Sequence, residues 1–278
     1  MPDVSADVPD ETTRVAIITL AKRIADQDGA PPLSDDALTH LSSPDVQHAV
    51  VQEAGQLVGY GQRRDGSAEI AAEPDAAGVV VDAISKPGLL AWAHGRRSRL
   101  TPVLSERGFT PIRELYQLRR SLDDLPADAP LPEGVTVRSF EPGRDEQAWL
   151  EVNAEAFAAH AEQGHRTLAE LQALMTEPWF APWDFLLADR NGELLGFHWT
   201  KVHSADLGEV YVLGISPKAQ GLGLGNALLV RGLRHLAERG CTEVLLYVDG
   251  DNTGARRLYE RAGFHEHDLD VQWRLPDA

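Results

Sequence analysis

Apolar runs and amphipathic stretches follow one another along the 278 residues of this chain, and the clearest lie in its second half. Residues 209–215 and 243–248 are short apolar runs of the kind that form buried strands. Between them, residues 224–239 carry leucines at helical spacing and are followed by Gly240, a residue type that often ends helices. This order of strand, helix and strand predicts an α/β domain.

The two halves of the chain resemble each other on either side of an acidic, proline-rich segment. GQLVGY at residues 55–60 matches GELLGF at 192–197, and SERGF at 105–109 matches ERAGF at 260–264. In both halves a final strand follows, over residues 113–119 and 268–274. Proline disfavours helix and central strand, so the intervening segment reads as an extended linker. We therefore predict two tandem α/β domains, residues 1–122 and 134–278, joined by a linker at 123–133.

A glycine-rich turn, QGLGLG at residues 220–225, connects the first strand to the helix. Glycine permits the backbone angles and the close ligand approach that such a turn needs, while converging N–H groups and the helix dipole favour a phosphate or pyrophosphate. The dinucleotide fingerprint does not fit, because Asn226 stands at the third glycine position, and the P-loop pattern is absent. An ordinary tight turn is the alternative that this motif leaves open.

Two motifs together resemble the GNAT superfamily of acyl-CoA N-acyltransferases. They are the Q-x-x-G-x-G spacing of residues 220–225 and a strand followed by a helix that ends in LYERAGF at 258–264, with Asp251 or Asn252 as N-cap. The resemblance implies that each domain is a mixed, mostly antiparallel sheet flanked by helices, and that acetyl-CoA is the co-substrate. The residues implied to bind acetyl-CoA are Leu213, Gly214, Ile215, Gln220, Gly221, Leu222, Gly223, Leu224, Gly225, Asn226, Asn252, Thr253, Gly254, Ala255, Arg256 and Arg257.

Glu209 is the candidate general base for acetyl transfer to an amine. An α-amine has a pKa near 7.7–8.0, so much of it is protonated at neutral pH and a base assists the reaction. Glu209 lies on the strand that leads into the glycine turn, and strand alternation is expected to place Glu209, Tyr211 and Leu213 on one face. The alternative is a surface glutamate at a strand end.

Two further roles come from the superfamily resemblance alone. The backbone of residues 213–215 would hold the thioester carbonyl on a strand that splays from its neighbour, and Gly214 is compatible with a bulge there. Tyr259 would protonate the departing thiolate. A core aromatic side chain is the alternative for Tyr259, because it lies on the apolar face of its helix.

The first half lacks the corresponding features. Residues 73–81 read EPDAAGVVV, with one glycine, and Leu104 stands where the second half has Tyr259. We expect the first half to be catalytically inactive, to have an eroded phosphate loop, and to pack against the second half and line the acceptor site.

A closer resemblance covers nearly the whole chain and concerns the mycothiol acetyltransferase family. That family acetylates the cysteinyl amine of 1D-myo-inositol 2-(L-cysteinylamino)-2-deoxy-alpha-D-glucopyranoside, the last step of mycothiol biosynthesis. The resemblance implies acceptor contacts from Asp35, Glu162, Lys201, Glu209 and Tyr247, with Asp35 standing where related sequences often have Glu. The segments that carry it are PLSD at 32–35, WAHG at 92–95, RELYQLRRSL at 113–122, AFAAHAEQG at 156–164, LGFHWTKVH at 195–203 and GEVYVLG at 208–214.

Two other functions remain as alternatives. One is a GNAT enzyme that acetylates another small amine or a protein N-terminus, against which the HAEQG and HWTK segments speak. The other is a non-catalytic acyl-CoA-binding sensor, which we would expect to lack Glu209 or Tyr259.

The composition of the chain limits the kinds of partner, compartment and metal site that we expect. The net charge of −17 argues against a nucleic-acid partner, and no apolar run reaches the length of a membrane helix. The acidic N-terminus carries no signal peptide, and the single Cys241, read as a buried structural thiol, fits a reducing compartment. The ten histidines show no metal-ligand spacing. We expect a cytoplasmic monomer that acts on a small thiol-sugar amine, without a metal ion.

Overall fold

The computed structural model describes residues 3–158 and 163–277, which form two compact units. The first unit contains the chain up to Tyr116 together with Asp249–Asp251 and the segment that starts at Asp268. The second unit contains Gln117–Val248 and Asn252–His267. The end of the chain thus contributes a strand to the first unit, and the predicted contiguous ranges 1–122 and 134–278 stay a prediction.

The first unit is a mixed sheet with helices on both faces. Its strand order is β1-β2-β3-β4-β5-β12-β6, in which β4 and β5 are parallel while β1–β2, β2–β3, β3–β4 and β5–β12 are antiparallel. Its elements are β1 (Asp3–Ser5), α1 (Glu11–Asp28), α2 (Asp35–Thr39), β2 (Gln47–Glu53), β3 (Gln56–Arg64), β4 (Ser67–Ala72), α3 (Pro74–Ile84), β5 (Leu90–Ala93), α4 (Leu100–Glu106), β6 (Thr110–Ser121) up to Tyr116, and β12 (His265–Arg274) from Asp268.

Each face of the first sheet has its own core. On one face the aliphatic residues of α3, such as Val80 and Ile84, pack on Val51 and Ile70 of the strands. On the other face α1 and α2 cover Val50, Tyr60 and Ala71. These residues alternate along their strands, which is why one sheet can bury two helical layers.

The second unit repeats this plan. Its strand order is β6-β11-β10-β9-β8-β7, with β10 and β11 parallel and β7–β8, β8–β9 and β9–β10 antiparallel. Its elements are β6 from Gln117, β7 (Thr136–Ser139), α5 (Glu146–Ala156), α6 (Leu168–Met175), β8 (Phe185–Arg190), β9 (Glu193–Val202), β10 (Leu207–Ile215), α7 (Leu224–Glu238), β11 (Glu243–Asp249), α8 (Thr253–Arg261) and the first residues of β12.

The two faces of the second sheet differ in character. One is an aromatic face, covered by α5 and α6, in which Trp149 packs edge-on against Phe185, Phe197 and Trp199. The other is an aliphatic face, covered by α7 through residues such as Leu224 and Leu228. We use the names aromatic face and aliphatic face for these two surfaces below.

Local sequence signals account for the ends of the helices. The predicted helix 224–239 is α7, which is followed by Gly240 at a φ of 95°. The N-cap of α8 is Asn252, whose side chain accepts a hydrogen bond from the Ala255 N–H. Cys241 is buried, as predicted, and burial raises the pKa of its thiol.

The predicted linker has no helix or strand, but it is packed rather than free. Ala129 is buried against Ala227 and Val230 of α7. Arg231 and Arg234 of α7 donate hydrogen bonds to backbone carbonyls of the linker. The linker is therefore an integral layer of the second unit.

Candidate active site

Strands β10 and β11 are paired at one end and apart at the other. Their parallel register runs from Leu207–Glu243 to Glu209–Leu245, whereas β10 continues to Ile215 and β11 to Asp249. Beyond Glu209, β10 keeps its pairing with β9 on the opposite edge. The splayed strand predicted from the superfamily resemblance is thus present, and it leaves one edge of β10 available for hydrogen bonds to a ligand.

The irregularity in β10 lies at Tyr211. The register with β9 shifts between Val210 and Val212, whereas Gly214 pairs regularly with Phe197. The suggested bulge at Gly214 is therefore wrong. Gly214 is needed for another reason: a Cβ there would lie 2.6 Å from two ring atoms of the fully buried Phe197.

The bulge also changes which side chains share a face. Tyr211 and Val212 both belong to the aromatic face, and Leu213 and Ile215 belong to the aliphatic face. The expectation that Leu213 would share a face with Glu209 and Tyr211 is wrong, because the extra residue of the bulge reverses the alternation that follows it.

Glu209 is a nearly buried carboxylate with a histidine partner. Its Oε2 lies 2.7 Å from Nε2 of His203, and the two side chains are 11% and 34% exposed respectively. Glu209 pairs with Lys201 across the β9–β10 register. The strand-end surface glutamate considered as the alternative does not describe this residue, which is buried in the sheet.

Lys201 directs its ammonium group to aromatic rings. Its Nζ lies 4.8 Å from the ring centroid of Trp179 and 5.7 Å from that of Tyr211. Such contacts hold a cation by the ring quadrupole. Burial raises the pKa of Tyr211, so this ring carries a neutral hydroxyl next to the cation. Glu209, Lys201, His203, Trp179 and Tyr211 together form a polar site on the aromatic face.

The glycine turn lies at the other end of β10. Gly221 and Gly223 have φ values of 78° and 82°, which explains why glycine is required at these two positions. Gly223 is the N-cap of α7 and offers no side-chain acceptor, and the first backbone bond of the helix runs from Ala227 N–H to Gly223 C=O. The N–H groups of the first turn therefore have no helical acceptor, as an anion site requires.

The turn is open to ligand. Gly221 and Gly223 are exposed, and an added Cβ at either position would meet nothing within 4 Å. Gly225 approaches α8, since a Cβ there would lie 3.8 Å from Leu258. The end of the glycine turn thus lies next to α8.

The α8 residues predicted to bind acetyl-CoA differ in whether they already form contacts within the protein. Asn252 uses its side-chain oxygen to cap the helix, and Arg256 forms an ion pair with Glu266 at 2.8 Å. Arg257 is exposed and makes no ion pair within the part of the chain that the structure describes. Of the two arginines, Arg257 is the one whose charge is available to an anion.

Tyr259 is a buried phenol. Burial raises its pKa to about 12, and its ring packs edge-on against Phe264 at 5.7 Å. This position fits the alternative that Tyr259 is a core aromatic side chain. Its hydroxyl, however, donates no hydrogen bond to any residue that the structure describes. The hydroxyl therefore has a donor to offer to a ligand.

The remaining predicted acceptor residues occupy different places. Tyr247 of β11 is 45% exposed, and its hydroxyl accepts a hydrogen bond from Gln117 at 2.7 Å. Asp35 is the exposed first residue of α2 in the first unit, behind the N-cap Ser34. Glu162 lies outside the described residues.

The first unit differs from the second at the positions that correspond to the bulge, the glycine turn and Tyr259. Its strands β3 and β4 pair without a register shift. Helix α3 starts directly at Pro74 after Glu73, which is ion-paired to Arg23 at 2.7 Å. A carboxylate thus stands where the second unit presents glycine, and Leu104 is fully buried in the apolar core.

His203, Trp179 and the bulge at Tyr211 were not assigned a role from the sequence. Alternation along β9 does place Trp199, Lys201 and His203 on one face, so His203 could have been found from that spacing. Among residues 3–158 and 163–277, no group of three or more His, Cys, Asp or Glu side chains is arranged to hold a metal ion. No described helix combines the length and the apolar character needed to cross a membrane.

Comparison with known proteins gives a consistent set of relatives. Residues 146–264 match the model of the Acetyltransferase (GNAT) family. The chain is 42% identical to the mycothiol acetyltransferase of Thermomonospora curvata, with 94% of this chain and 93% of the relative covered. It is 44% identical to the mycothiol acetyltransferase of Streptomyces coelicolor, with 96% and 92% covered.

Solved structures agree on the fold. A GCN5-related N-acetyltransferase from Sphaerobacter thermophilus matches with a TM-score of 0.72 at 25% identity, covering 98% of this chain and 95% of that one. A tandem GNAT protein from the clavulanic acid biosynthesis pathway matches with a TM-score of 0.68 at 16% identity, and both chains are covered completely. The predicted fold, two tandem GNAT-type domains with mixed sheets flanked by helices, is confirmed.

Proposed function

The chain belongs to the mycothiol acetyltransferase family, and from that membership we propose that it transfers the acetyl group of acetyl-CoA to the cysteinyl amine of 1D-myo-inositol 2-(L-cysteinylamino)-2-deoxy-alpha-D-glucopyranoside. The product is mycothiol. The chain is an acetyl-CoA-dependent N-acetyltransferase, and its second unit carries the chemistry.

The observation that carries this proposal is the layout of β10. Glu209 stands at the last pair before β10 and β11 separate, and Ile215 leads to the glycine turn. Six residues of strand span about 20 Å. A pyrophosphate bound at the turn and an acceptor amine held on the Glu209 side would therefore lie towards opposite ends of one strand, with the pantetheine and thioester along the free edge of β10 between them.

Each residue has a defined task in the proposed reaction. Glu209 takes a proton from the acceptor amine, directly or through a water, as the amine nitrogen attacks the thioester carbonyl. The free edge of β10 at residues 213–215 donates N–H groups to the carbonyl oxygen as it gains negative charge. The carbon–sulfur bond then breaks, and Tyr259 donates a hydrogen bond to the departing thiolate.

The strength of that last contact follows from the pKa of Tyr259. A phenol with a pKa of about 12 stays protonated at every working pH. A thiol has a pKa near 8.5, so complete transfer of the phenolic proton is uphill by about 5 kcal/mol. Tyr259 therefore stabilises the thiolate mainly as a hydrogen-bond donor, and solvent supplies the proton.

The acceptor is polyhydroxylated and carries a cationic amine, which suits the proposed contacts. Lys201 and Glu209 are charged groups that can hydrogen-bond to hydroxyl and amine groups, and Tyr247 adds a hydroxyl. Asp35 and Glu162 are proposed as further contacts on the basis of the family resemblance.

Calorimetry tests where acetyl-CoA binds. Gly223→Glu puts a carboxylate at the proposed pyrophosphate site, and Gly192→Glu is the matched control. Gly192 has a φ of 84° and, like Gly223, nothing within 4 Å of an added Cβ, so both variants carry the same charge and similar backbone strain. We expect acetyl-CoA affinity to fall at least tenfold in Gly223→Glu alone; equal affinity in both variants would place the pyrophosphate elsewhere.

A steady-state assay of CoA release tests the acceptor. We expect turnover with the cysteinyl pseudo-disaccharide and none with the glucosaminyl inositol that lacks the cysteinyl group. Comparable kcat/KM for a peptide with a free N-terminal cysteine would favour the alternative, a GNAT enzyme for protein N-termini or other small amines.

A further inference from the structure

The proposed reaction assigns no role to the contact between His203 and Glu209. The Nε2 atom of His203 lies 2.7 Å from the Glu209 carboxylate. The histidine side chain is about three times as exposed as the glutamate, at 34% against 11%. A buried carboxylate is thus connected to the surface by a single imidazole ring.

The hairpin that carries His203 is held by its own hydrogen bonds. The His203 N–H and the Ser204 N–H both donate to the Leu207 carbonyl, at 2.9 and 3.3 Å. The Ser204 hydroxyl donates to Asp206, and the Leu207 N–H donates back to that hydroxyl. The backbone beneath His203 is therefore fixed, so the imidazole can hold one orientation.

Lys201, the lysine on this face, does not replace the histidine. Its Cα is opposite that of Glu209, yet its ammonium lies over the rings of Trp179 and Tyr211 and forms no ion pair with Glu209 among the described residues. His203 is therefore the partner that fixes the Glu209 carboxylate.

The charged groups around the pair are identifiable. Tyr211 shares the face and feels the charges of Glu209, Arg166 and Glu177, the last two from the segments flanking α6. On the hairpin itself, Asp206 is bound by Ser204. None of these groups is hydrogen-bonded to the second ring nitrogen of His203 in the part of the chain that the structure describes.

We propose that His203 is a positioning residue: its Nε2–H donates to Oε2 of Glu209 and orients the carboxylate so that the other oxygen, Oε1, takes the proton of the amine. The step is balanced: the amine N–H bond breaks as an O–H bond forms at Oε1, Nε2 of His203 keeps its proton throughout, and Glu209 releases the collected proton to water after the product leaves. This inference rests on the proposed function, because it needs Glu209 to act as the base.

Three variants test the proposal. His203→Ala removes the hydrogen bond to Glu209, whereas His203→Gln keeps an N–H donor. The control is His265→Ala, an exposed histidine of the same unit at the start of β12. Readouts are kcat, both KM values, the pH profile of kcat and its dependence on added imidazole.

We expect kcat of His203→Ala to fall roughly ten- to a hundredfold, as the loss of a hydrogen bond to a charged group would produce. The KM for acetyl-CoA should stay constant. His203→Gln should recover part of kcat, because it restores an N–H donor to Glu209. Added imidazole should raise kcat of His203→Ala, whose vacated place it can fill, and leave wild type and His265→Ala unchanged. Wild-type kcat and pH profile in His203→Ala would overturn the proposal, as would a His203→Gln variant that is no more active than His203→Ala.

Glu209→Gln separates this inference from the proposed function. If Glu209→Gln is impaired and His203→Ala is not, the role of His203 alone is refuted. If Glu209→Gln retains wild-type activity, the base itself is misassigned. In the double variant we expect no further loss beyond that of Glu209→Gln, since residues that act as one unit are not additive.

Discussion

Replacement of Glu209 by Gln is the perturbation that examines the proposed chemistry most closely. The substitution keeps the shape of the side chain and its place on the aromatic face, but it removes the proton acceptor. A positioned base contributes roughly 10²- to 10⁴-fold to a proton-transfer reaction. We therefore expect kcat/KM for the acceptor to fall by that factor while acetyl-CoA still binds.

The pH dependence of the residual activity distinguishes two ways in which a base could act. With an amine pKa of 7.7–8.0, about 9–17% of the acceptor is neutral at pH 7 and over 90% at pH 9. If Glu209 only supplied neutral amine, raising the pH to 9 would restore nearly all activity. If it also accepts the proton as the bond forms, the same change recovers only about six- to tenfold of the loss.

The assay is CoA release at saturating acetyl-CoA between pH 6.5 and 9, for wild type, Glu209→Gln and Asp206→Asn. Asp206 is an exposed carboxylate of the same hairpin and serves as the control for charge removal. We expect Glu209→Gln to stay at least tenfold below wild type at pH 9. Full recovery at pH 9 would refute proton acceptance in the transition state, and near-wild-type activity at pH 7 would place the base elsewhere.

Three further predictions follow from the same site and its surroundings. Tyr259→Phe should lower kcat on the order of tenfold and leave acetyl-CoA affinity unchanged, because a neutral phenol acts as a hydrogen-bond donor; an unchanged kcat would favour the alternative of a core aromatic side chain. Asp35→Asn should raise the KM for the acceptor without changing that for acetyl-CoA, whereas a small fall in melting temperature alone would indicate a helix-dipole role of about 0.3–1 kcal/mol. Burial lowers the pKa of His198 to about 4, so the free energy of unfolding should fall by about 1.3 kcal/mol through this group between pH 7.5 and 5.5. Urea unfolding followed by tryptophan fluorescence should show that this part of the pH dependence of stability is absent in His198→Asn.

The sign of the His198 effect follows from its surroundings. The ring is fully buried, with Nδ1 2.9 Å from the Leu228 carbonyl, and it lies so close to Gly232 that a Cβ at that position would collide with it. Its pKa is lowered from 6.5, so the unfolded chain binds the proton more readily and stability falls as the pH drops through 6.5. An equal slope in wild type and His198→Asn would contradict this assignment.

The sequence was most informative where backbone geometry leaves a residue signature. Gly221 and Gly223 adopt positive φ, so the turn is readable from glycine spacing, and Asn252 caps α8 as its residue type suggests. Four elements of the second unit, β10, α7, β11 and α8, were predicted within a few residues, because their apolar periodicity and the glycines after the two helices mark them.

The bulge at Tyr211 has no such signature. Residues 210–215 are apolar or aromatic at nearly every position, so a shift of one residue changes which side chains face α7 without changing the pattern. Alternation therefore assigned Leu213 to the wrong face. Alternation points to both Lys201 and His203 as neighbours of Glu209 but does not decide between them; the contact of Lys201 with Trp179, from a distant segment, is not visible in the sequence.

The location of β12 could not be predicted for a related reason. Both halves end in an alternating strand, 113–119 and 268–274, and the pattern of either strand suits the edge of either sheet. In the structure, Val271 pairs with Ala93 and Trp273 with Ala91, both in β5 of the first unit. Pairing between equivalent strands is decided by packing across the whole unit, which no local pattern encodes.

The identity of the acetylated atom tests the central claim most directly, because the acceptor offers both a thiol and an amine. The measurement is mass spectrometry of the product formed from acetyl-CoA and the cysteinyl pseudo-disaccharide. Separate portions of the product are analysed untreated, after a thiol-alkylating reagent and after an amine-acylating reagent. We predict a product with one acetyl group that still reacts with the thiol reagent and no longer reacts with the amine reagent. A product with a blocked thiol and a free amine, or the absence of any acetylated product while acetyl-CoA binds, would contradict the account.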